Sequence, residues 1–261
     1  MFEFLRYDGR KRLKGSLALS AGMALLTAMV IWVYPSFADA FDEDELLDAY
    51  PPQLLQLFDI ETMSSLEGFL SFELYTFGWV ILLALYFAYS AAGIIAEDVE
   101  RGRMDTYLAL PVSRSRLLVE RFASTAVPIL TVNLLLPPVV LAGAWLVDEP
   151  VSAADVLATH VLSIPYLFAC AGIGLAFSVL FDRAGLAQRA ALGVTFFLYL
   201  MESLVEGTDY ELLGAVSPMR YFSPNEILLE SSYDLVAAGA LVGMTLALVL
   251  ASAFVFTRKD V

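Results

Sequence analysis

The stretch LYTFGWVILLALYFAYSAAGIIA, residues 74–96, decides the fold because it contains no charged side chain over 23 consecutive positions. An α-helix needs about 20 apolar residues to cross the hydrocarbon core of a bilayer. Five other stretches have the same character, at residues 15–38, 122–147, 156–181, about 185–205 and 235–257. The spacing predicts an all-α, polytopic membrane protein with six transmembrane helices. They would form a single transmembrane domain over residues 1–261, with outer loops at 39–73, 148–155 and 206–234.

The composition favours the same class. Mean hydropathy is +0.72 and 59% of the residues are hydrophobic, which is more than an ordinary soluble domain carries. The fifth stretch is the weakest, since only residues 190–201 are free of charge and the span must include Arg189 or Glu202. We retain it because without it Arg258 and Lys259 would fall on the side opposite the other basic residues.

The basic residues lie almost entirely on one side of this arrangement. Of the 15 Lys and Arg residues, 14 lie before the first span, in the second and fourth connections, or after the last span, and only Arg220 lies opposite. Cytoplasmic loops retain Lys and Arg because positive charge resists translocation. The pattern predicts a multi-pass protein of the plasma membrane with both termini in the cytoplasm.

The acidic residues are concentrated on the other side. With this topology the inner side carries a net charge of +5 and the outer side a net charge of −19. The chain contains only three Lys residues but twelve Arg residues. So acidic an outer face is typical of proteins in concentrated salt, where charges are screened, and we expect a halophilic archaeon as the source. A generally acidic outer surface and a cation-binding vestibule are the alternatives. A role in transport stays open for Glu202, which lies at the outer interface.

The sequence gives little support for a metal site or a catalytic nucleophile. Cys170 is the only cysteine and His160 the only histidine, so neither a thiolate cage nor an imidazole cluster can be assembled. We predict no metal site and no catalytic residue, and we expect His160 to serve packing. Asn133, in the third span, is expected to make an interhelical hydrogen bond. Three prolines predict a kink in the same span: Pro128, Pro137 and Pro138.

The segments outside the spans predict short amphipathic helices. Residues 2–14 mix apolar and basic side chains, which favours an N-terminal helix lying in the membrane interface; a frayed basic tail is the alternative. Residues 54–70 of the first outer loop have mostly helical spacing and predict one or two helices on the outer face. In the last outer loop, Ser223 or Asn225 is expected to cap a short element.

The second connection reads EDVERGRMDTYLALPVSRSRLLVERF, residues 97–122. Three of its apolar residues stand at i, i+3 and i+4 and predict one ridge on a short helix: Met104, Tyr107 and Leu108. Arg101 and Asp105 are expected to pair along the side of this helix. A short helix pressed between two spans, with mixed charged and apolar residues, is a surface that a cytosolic partner could hold.

The end of that helix and the start of the next are also predicted. Pro111 ends the first helix because it disfavours helical geometry at the preceding residue and lacks an N–H. Ser113 is then positioned to cap the second helix. Arg114 and Arg116 fall in the first turn of the second helix, where positive charge opposes the helix dipole. They therefore serve topology, lipid headgroups or a partner rather than local helix stability.

These residues resemble the membrane subunit of type-2 ABC transporters. The pattern is Glu-x-x-Glu-x-Gly, a short leucine-rich helix and Leu-Pro-Val-Ser-Arg, formed here by Glu97, Glu100, Gly102, Leu108, Leu110, Pro111, Val112, Ser113, Arg114 and Leu117. The ending FTRKDV, residues 256–261, is similar to the close of the family's last span. Within the family, the chain looks like permeases grouped with nitrous-oxide-reductase and multicopper-enzyme maturation. It departs from the pattern at Arg103, where Thr is frequent, and at Glu120–Arg121, where Gly-Lys is frequent.

The resemblance implies a permease subunit of an ABC transporter, by expectation an exporter, rather than an enzyme. Residues 97–114 would insert into a groove of a separate ABC ATPase, with these coupling residues: Glu97, Glu100, Gly102, Met104, Tyr107, Leu108, Pro111, Ser113 and Arg114. ATP and Mg²⁺ would lie on that partner and no cofactor on this chain, in which no Gly is followed by Lys and no Walker A loop exists. A second permease copy and the lipid bilayer would be the other partners, without nucleic acid.

Other function classes stay open, namely an ion-coupled secondary transporter, an intramembrane enzyme and a non-transporting membrane assembly subunit. A secondary transporter would need buried titratable groups at midplane, whereas no charged residue falls near the centre of any predicted span. Gly239 and Gly243 form a G-x-x-x-G pattern in the last span, which permits close helix packing. Packing within the protomer is expected there, and a dimer contact is the alternative. The sequence does not specify the substrate.

Overall fold

The structure is a computed structural model that describes residues 3–40, 51–109 and 111–259, and within these ranges every regular element is a helix. Six helices or helix pairs are long and apolar enough to cross a membrane. They are α1 (Glu3–Ala40), α3 (Leu66–Glu100), α5 with α6 (Arg114–Ala123 and Ala126–Leu146), α7 (Ala153–Leu180), α8 (Ala184–Val205) and α10 (Leu235–Arg258). The prediction of an all-α protein with six spans is confirmed.

Shorter helices join the spans. Along the chain, α2 (Pro52–Leu57) precedes α3, and α4 (Met104–Leu108) follows it. Two 3₁₀ helices, Glu211–Val216 and Pro218–Tyr221, precede α9 (Pro224–Leu228). The Ser223 side chain accepts a hydrogen bond from the backbone N–H of Glu226 at 3.2 Å, so the predicted serine cap is confirmed.

Helices α3 and α7 form the centre of the bundle. They approach so closely at Gly174 that a Cβ there would lie 2.1 Å from the carbonyl oxygen of Ala88, so only glycine fits. The hydroxyl of Ser178 accepts hydrogen bonds from the backbone N–H groups of Ile95 and Ala96, at 2.8 and 3.1 Å. Around this pair, α1 packs on α6, α8 packs on α3, and α10 packs on α7.

A buried polar cluster joins three of the spans. Asn133 of α6 accepts hydrogen bonds at Oδ1 from Trp79 Nε1 at 3.1 Å and from the Ser163 hydroxyl at 2.9 Å. His160 of α7 lies 3.0 Å from the same oxygen through Nδ1, and its Nε2 lies 3.3 Å from the hydroxyl of Tyr75. The expected interhelical bond of Asn133 is confirmed, and His160 is buried in packing as expected. Each polar atom of the cluster has a partner, which satisfies it in an apolar interior.

The second span begins earlier than predicted. Ser65 accepts a hydrogen bond from the backbone N–H of Gly68 at 3.1 Å and caps a helix that then runs without interruption from Leu66. The last part of the predicted outer-face helices therefore belongs to α3, and only α2 remains as a separate element. The acidic residues at positions 42–45 of the first outer loop lie outside the described residues.

The N-terminal segment is not a separate interfacial helix. It forms the first turns of α1, which continues from Glu3 to Ala40 because nothing in the basic segment interrupts the helix, and Gly15 is tolerated within it. Phe4 packs its ring edge-on to Tyr107, with centroids 5.9 Å apart, so this side chain contacts the second connection. Phe2 lies outside the described residues.

Of the three prolines predicted to kink the third span, Pro128 accounts for the interruption, and the proline pair does not. Pro137 and Pro138 lie within continuous α6, whereas the break between α5 and α6 falls at Ser124–Thr125. Pro128 follows four residues after Ser124 and has no N–H to donate to its carbonyl, which explains the break at this point.

The ends of the spans gather in two groups. The basic end comprises the start of α1, the α3–α5 and α7–α8 connections and the end of α10; there the ammonium group of Lys259 donates to the carbonyl of Val179 at 2.9 Å. The acidic end comprises the opposite connections, where the side chain of Asn225 donates to the carbonyl of Asp59 at 2.6 Å. The two ends carry the charge asymmetry of the sequence.

Candidate functional site at the basic end

The elbow segment, residues 97–114, begins with a tight turn. Helix α3 ends at Glu100, and the backbone N–H of Arg103 returns to the carbonyl of Asp98 at 2.8 Å. Gly102 has φ +64° in this turn, a conformation that glycine adopts without a steric cost. The turn sets the direction of α4, which follows at once.

The predicted short helix is present, and two of its apolar residues, Met104 and Tyr107, pack toward the bundle. Met104 is 2% exposed. Tyr107 is half-buried against Phe4, and the guanidinium of Arg121 lies 5.4 Å from its ring centroid. The side chain of Leu108 lies outside the described residues. Met104 and Tyr107 therefore attach α4 to its own chain rather than offering a ridge to a partner.

An ion-pair network centred on Asp98 fixes the elbow. Asp98 is 1% exposed and pairs with Arg103 at 2.6 Å and with Arg121. Arg121 also donates through Nε to Asp8 of α1 at 3.0 Å. Because breaking a buried ion pair leaves an uncompensated charge, this network ties together α1, α3, the elbow turn and α5.

Glu120 makes a second connection to the start of α1. It is 4% exposed, accepts from Arg116 Nε at 2.6 Å, and accepts from the backbone N–H of Phe4 at 3.2 Å. The carboxylate therefore satisfies a free N–H at a helix N-terminus, where negative charge is favoured.

Two predicted coupling residues bind the ends of other spans. Glu100 accepts a hydrogen bond from the backbone N–H of Ala184, at the N-terminus of α8, at 2.9 Å. Arg114 donates to the carbonyl of Phe256 at 3.4 Å and to that of Lys259, at the C-terminus of α10. Both charges complement the dipole of the helix that they contact. Arg114 thus stabilises the end of α10 even though it opposes the dipole of its own helix.

The remaining predictions for the elbow are partly corrected. Ser113 accepts from the backbone N–H of Arg116 at 3.4 Å and caps α5, as predicted. The predicted pair of Arg101 with Asp105 is wrong, because Arg101 lies 3.8 Å from Glu97, one turn back on α3. The solvent-exposed surface of the elbow consists of these positions: Arg101, Gly102, Asp105, Thr106, Ala109, Pro111 and Ser113.

The G-x-x-x-G pattern of α10 does not pack within the protomer. A Cβ at Gly239 or Gly243 would have no described atom within 4 Å, apart from its own helix backbone. Contrary to the expectation of intramolecular packing, no neighbouring helix among the described residues contacts either glycine, although α10 packs on α7 elsewhere along its length.

Sequence reasoning missed four residues that organise the site: Asp8, Asp98, Glu120 and Arg121. Arg121 and Glu120 were visible only as departures from the family pattern, together with Arg103. The structure shows that all three departures are ion-pair partners, two of them of Asp98. A carboxylate directly after an apolar span was the available signal for Asp98, because such a group requires a nearby cation.

Among the described residues, no group of three His, Cys, Asp or Glu side chains could hold a metal ion. A family model described as ABC-2 family transporter protein matches residues 10–261. No curated protein matches the chain. Proteins of this family are membrane transport subunits that generally work with an ABC ATPase. The chain is therefore a multi-pass membrane protein that belongs to the ABC-2 family of transporter proteins.

Proposed function

We propose that this chain is the permease subunit of an ABC-type exporter and that a separate ABC ATPase binds the elbow segment. One observation carries the proposal: one surface of the elbow is exposed to solvent, whereas its buried side is bonded to four other elements of the bundle. A short helix held in this way is suited to receive a displacement from a partner and pass it on.

The contacts define where such a displacement would go. Movement of α4 would act on Asp98, and through Arg121 on Asp8 of α1. It would act on α8 through Glu100 and on α10 through Arg114. Four spans besides α3 are therefore connected to the elbow by charged side chains: α1, the α5–α6 pair, α8 and α10.

The assembly that follows has ATP and Mg²⁺ on the partner ATPase and two permease copies in the plasma membrane. The permease forms one transmembrane domain with both termini in the cytoplasm, as the sidedness of Lys and Arg supports. A place among the maturation permeases rests on the motif resemblance. A haloarchaeal origin rests on the acidic outer side.

The test uses charge reversals at the exposed surface, because reversals at Glu100 or Arg114 would also break contacts within the bundle. We expect Arg101→Glu and Asp105→Arg to weaken both co-purification with the partner ABC ATPase and the ATP hydrolysis that the permease stimulates in proteoliposomes. Glu149→Lys, an exposed change at the acidic end, is the matched control. Unaltered co-purification and hydrolysis in both elbow variants would overturn the assignment.

Sidedness has its own test. Single cysteines at Thr106 and Glu149, both exposed, are placed in a background where the native Cys170 is buried. In intact cells we expect an impermeant maleimide to label position 149 and to leave position 106 unlabelled until the membrane is permeabilised. Labelling of position 106 from outside would place the elbow on the wrong side for an ATPase.

A further inference from the structure

The basic end contains a cavity of about 440 Å³ between α1, α3 and α8. Helix α3 lines it from Tyr86 to Asp98, a distance of about 18 Å along the helix axis. The cavity therefore begins beside the elbow and reaches into the uncharged stretch at residues 74–96. Helix α1 contributes Lys11 and Arg12 to the opposite wall. We call this space the basic-end cavity.

Most of the charged side chains that line the basic-end cavity are already paired. The network that fixes the elbow supplies two carboxylates and two guanidiniums, which neutralise one another: Asp8, Asp98, Arg103 and Arg121. The remaining carboxylate, Glu97, is partly exposed and lies 3.8 Å from Arg101. The remaining cations are Lys11 and Arg12, and the elbow network does not use them.

Arg12 is a half-buried guanidinium without a carboxylate partner among the described residues. The hydrogen bond that its side chain makes runs from Nη1 to the hydroxyl of Ser90, at 3.3 Å. A guanidinium has five N–H donors, and partial burial without a counter-charge is costly. Lys11, the preceding residue, makes no ion pair within the part of the chain that the structure describes. Two adjacent cations therefore face the cavity without a counter-ion, which favours an anionic ligand.

Two tyrosines extend the cavity wall toward the middle of the second span. Tyr86 and Tyr89 line the cavity, and neither hydroxyl is hydrogen-bonded to another described residue. Both rings are exposed, and so is Leu82, about one turn earlier on α3. Tyrosine is common at membrane interfaces because it combines an apolar ring with a polar hydroxyl. This side of α3 therefore suits a ligand that has an anionic group at one end and an apolar body at the other.

We infer that the basic-end cavity binds the phosphate-bearing headgroup of an anionic phospholipid. Arg12 and Lys11 bind the phosphate through charge-assisted hydrogen bonds, and the hydroxyls of Tyr86 and Tyr89 are further donors. The acyl chains lie along the exposed face of α3, past Leu82. Free phosphate has the same charge but makes no use of this apolar face, so the observations favour the lipid. The inference goes beyond the proposed function because it requires no ATPase.

The experiment uses the purified full-length permease in detergent, without an ATPase. Native mass spectrometry and the shift in Tm measure the binding of dioleoylphosphatidylglycerol at constant ionic strength. We expect saturable binding that is weakened roughly tenfold in Arg12→Gln, the effect of losing one charge-assisted hydrogen bond. Arg10→Gln is the matched control, because it makes the same change at an exposed position outside the cavity. It should bind the lipid as the native protein does.

Lys11→Gln is the second variant, in case Arg12→Gln fails to fold. Lys11 is exposed, so its replacement should leave the bundle intact, and weaker lipid binding than in Arg10→Gln supports the inference. Equal binding by Arg10→Gln and the folded cavity variants would show general attraction to the basic end and overturn it. An equal Tm shift with dioleoylphosphatidylcholine, which carries the same chains and a phosphate but no net charge, would overturn it as well. An equal shift with sodium phosphate would show that free phosphate, and not a lipid, is the ligand.

Discussion

Two buried carboxylates at the basic end and the buried Glu202 at the acidic end differ in how closely they are paired with arginine. At the basic end, Asp98 and Glu120 are each bonded to arginine, at 2.6 Å to Arg103 and to Arg116 respectively. At the acidic end, Arg220 pairs with Glu211 at 2.5 Å and lies 3.6 Å from buried Glu202. The first arrangement fixes the elbow to the spans through close ion pairs. The second gives Glu202 a weaker partner.

The two ends differ in the electrostatic effect of neutralising a carboxylate. Neutralising a carboxylate in a network of close ion pairs leaves its cationic partners buried without a counter-charge, which destabilises the folded protein. Neutralising a carboxylate among other carboxylates removes repulsion, which offsets the loss of any partner it had. Matched Asp→Asn or Glu→Gln changes at the two ends should therefore differ in size and can differ in sign.

The largest effect is expected for Asp98→Asn. It leaves Arg103 and Arg121 without their shared buried partner, and the cost should be about 3–5 kcal/mol, as for other broken buried ion pairs. We expect a strongly lowered Tm in detergent and poor recovery of folded protein. Glu97→Gln, one residue earlier and half-exposed, is the control and should change the Tm little. A Tm for Asp98→Asn close to that of the control would contradict the proposed network.

A pH effect of intermediate size should arise at Asp59. Because its pKa is raised from 3.8 to about 6, the folded protein holds a proton that the unfolded chain releases in this range. Stability should increase as pH falls through about 6, and the gain should be complete below 3.8. The measurement is the Tm of the native protein and of Asp59→Asn across this range. Parallel curves for the two proteins would show that Asp59 does not contribute.

A smaller effect is expected for Glu202→Gln. The change removes a long 3.6 Å ion pair with Arg220, which keeps its bonds to Glu211, and it also relieves repulsion from Glu206 and Glu211. The Tm should move by the equivalent of about 1 kcal/mol or less, in either direction. A loss as large as that of Asp98→Asn would mean that both ends are built alike.

The smallest effect is expected at a site that belongs to neither end. Gly243→Ala adds a Cβ with no described atom within 4 Å, and it should leave the Tm of the single protomer unchanged or slightly raised. Gly174→Ala is the contrasting variant, since its Cβ would lie 2.1 Å from the carbonyl of Ala88. It should be strongly destabilising, and equal Tm values for the two variants would contradict the described packing of α3 on α7.

Local features of the site were predictable from the sequence. The helix at Met104–Leu108, the serine cap at Ser113 and the hydrogen bonding of Asn133 depend on nearby residues or on a polar group in an apolar span, and the structure confirms them. The direction of the apolar ridge was not predictable. It depends on what lies beneath α4, and that surface includes Phe4, about 100 residues away in the chain.

The amino-acid sequence by itself determined six spans, the separation of basic from acidic connections and the position of the elbow, because apolar length and charge asymmetry are properties of the chain read in order. Only the tertiary structure decided which charges satisfy one another. Glu100 binds the start of α8, Arg114 binds the end of α10, and Asp98 gathers two arginines. The free energy of a buried charge depends on neighbours within a few ångströms, and those neighbours are set by how distant helices meet.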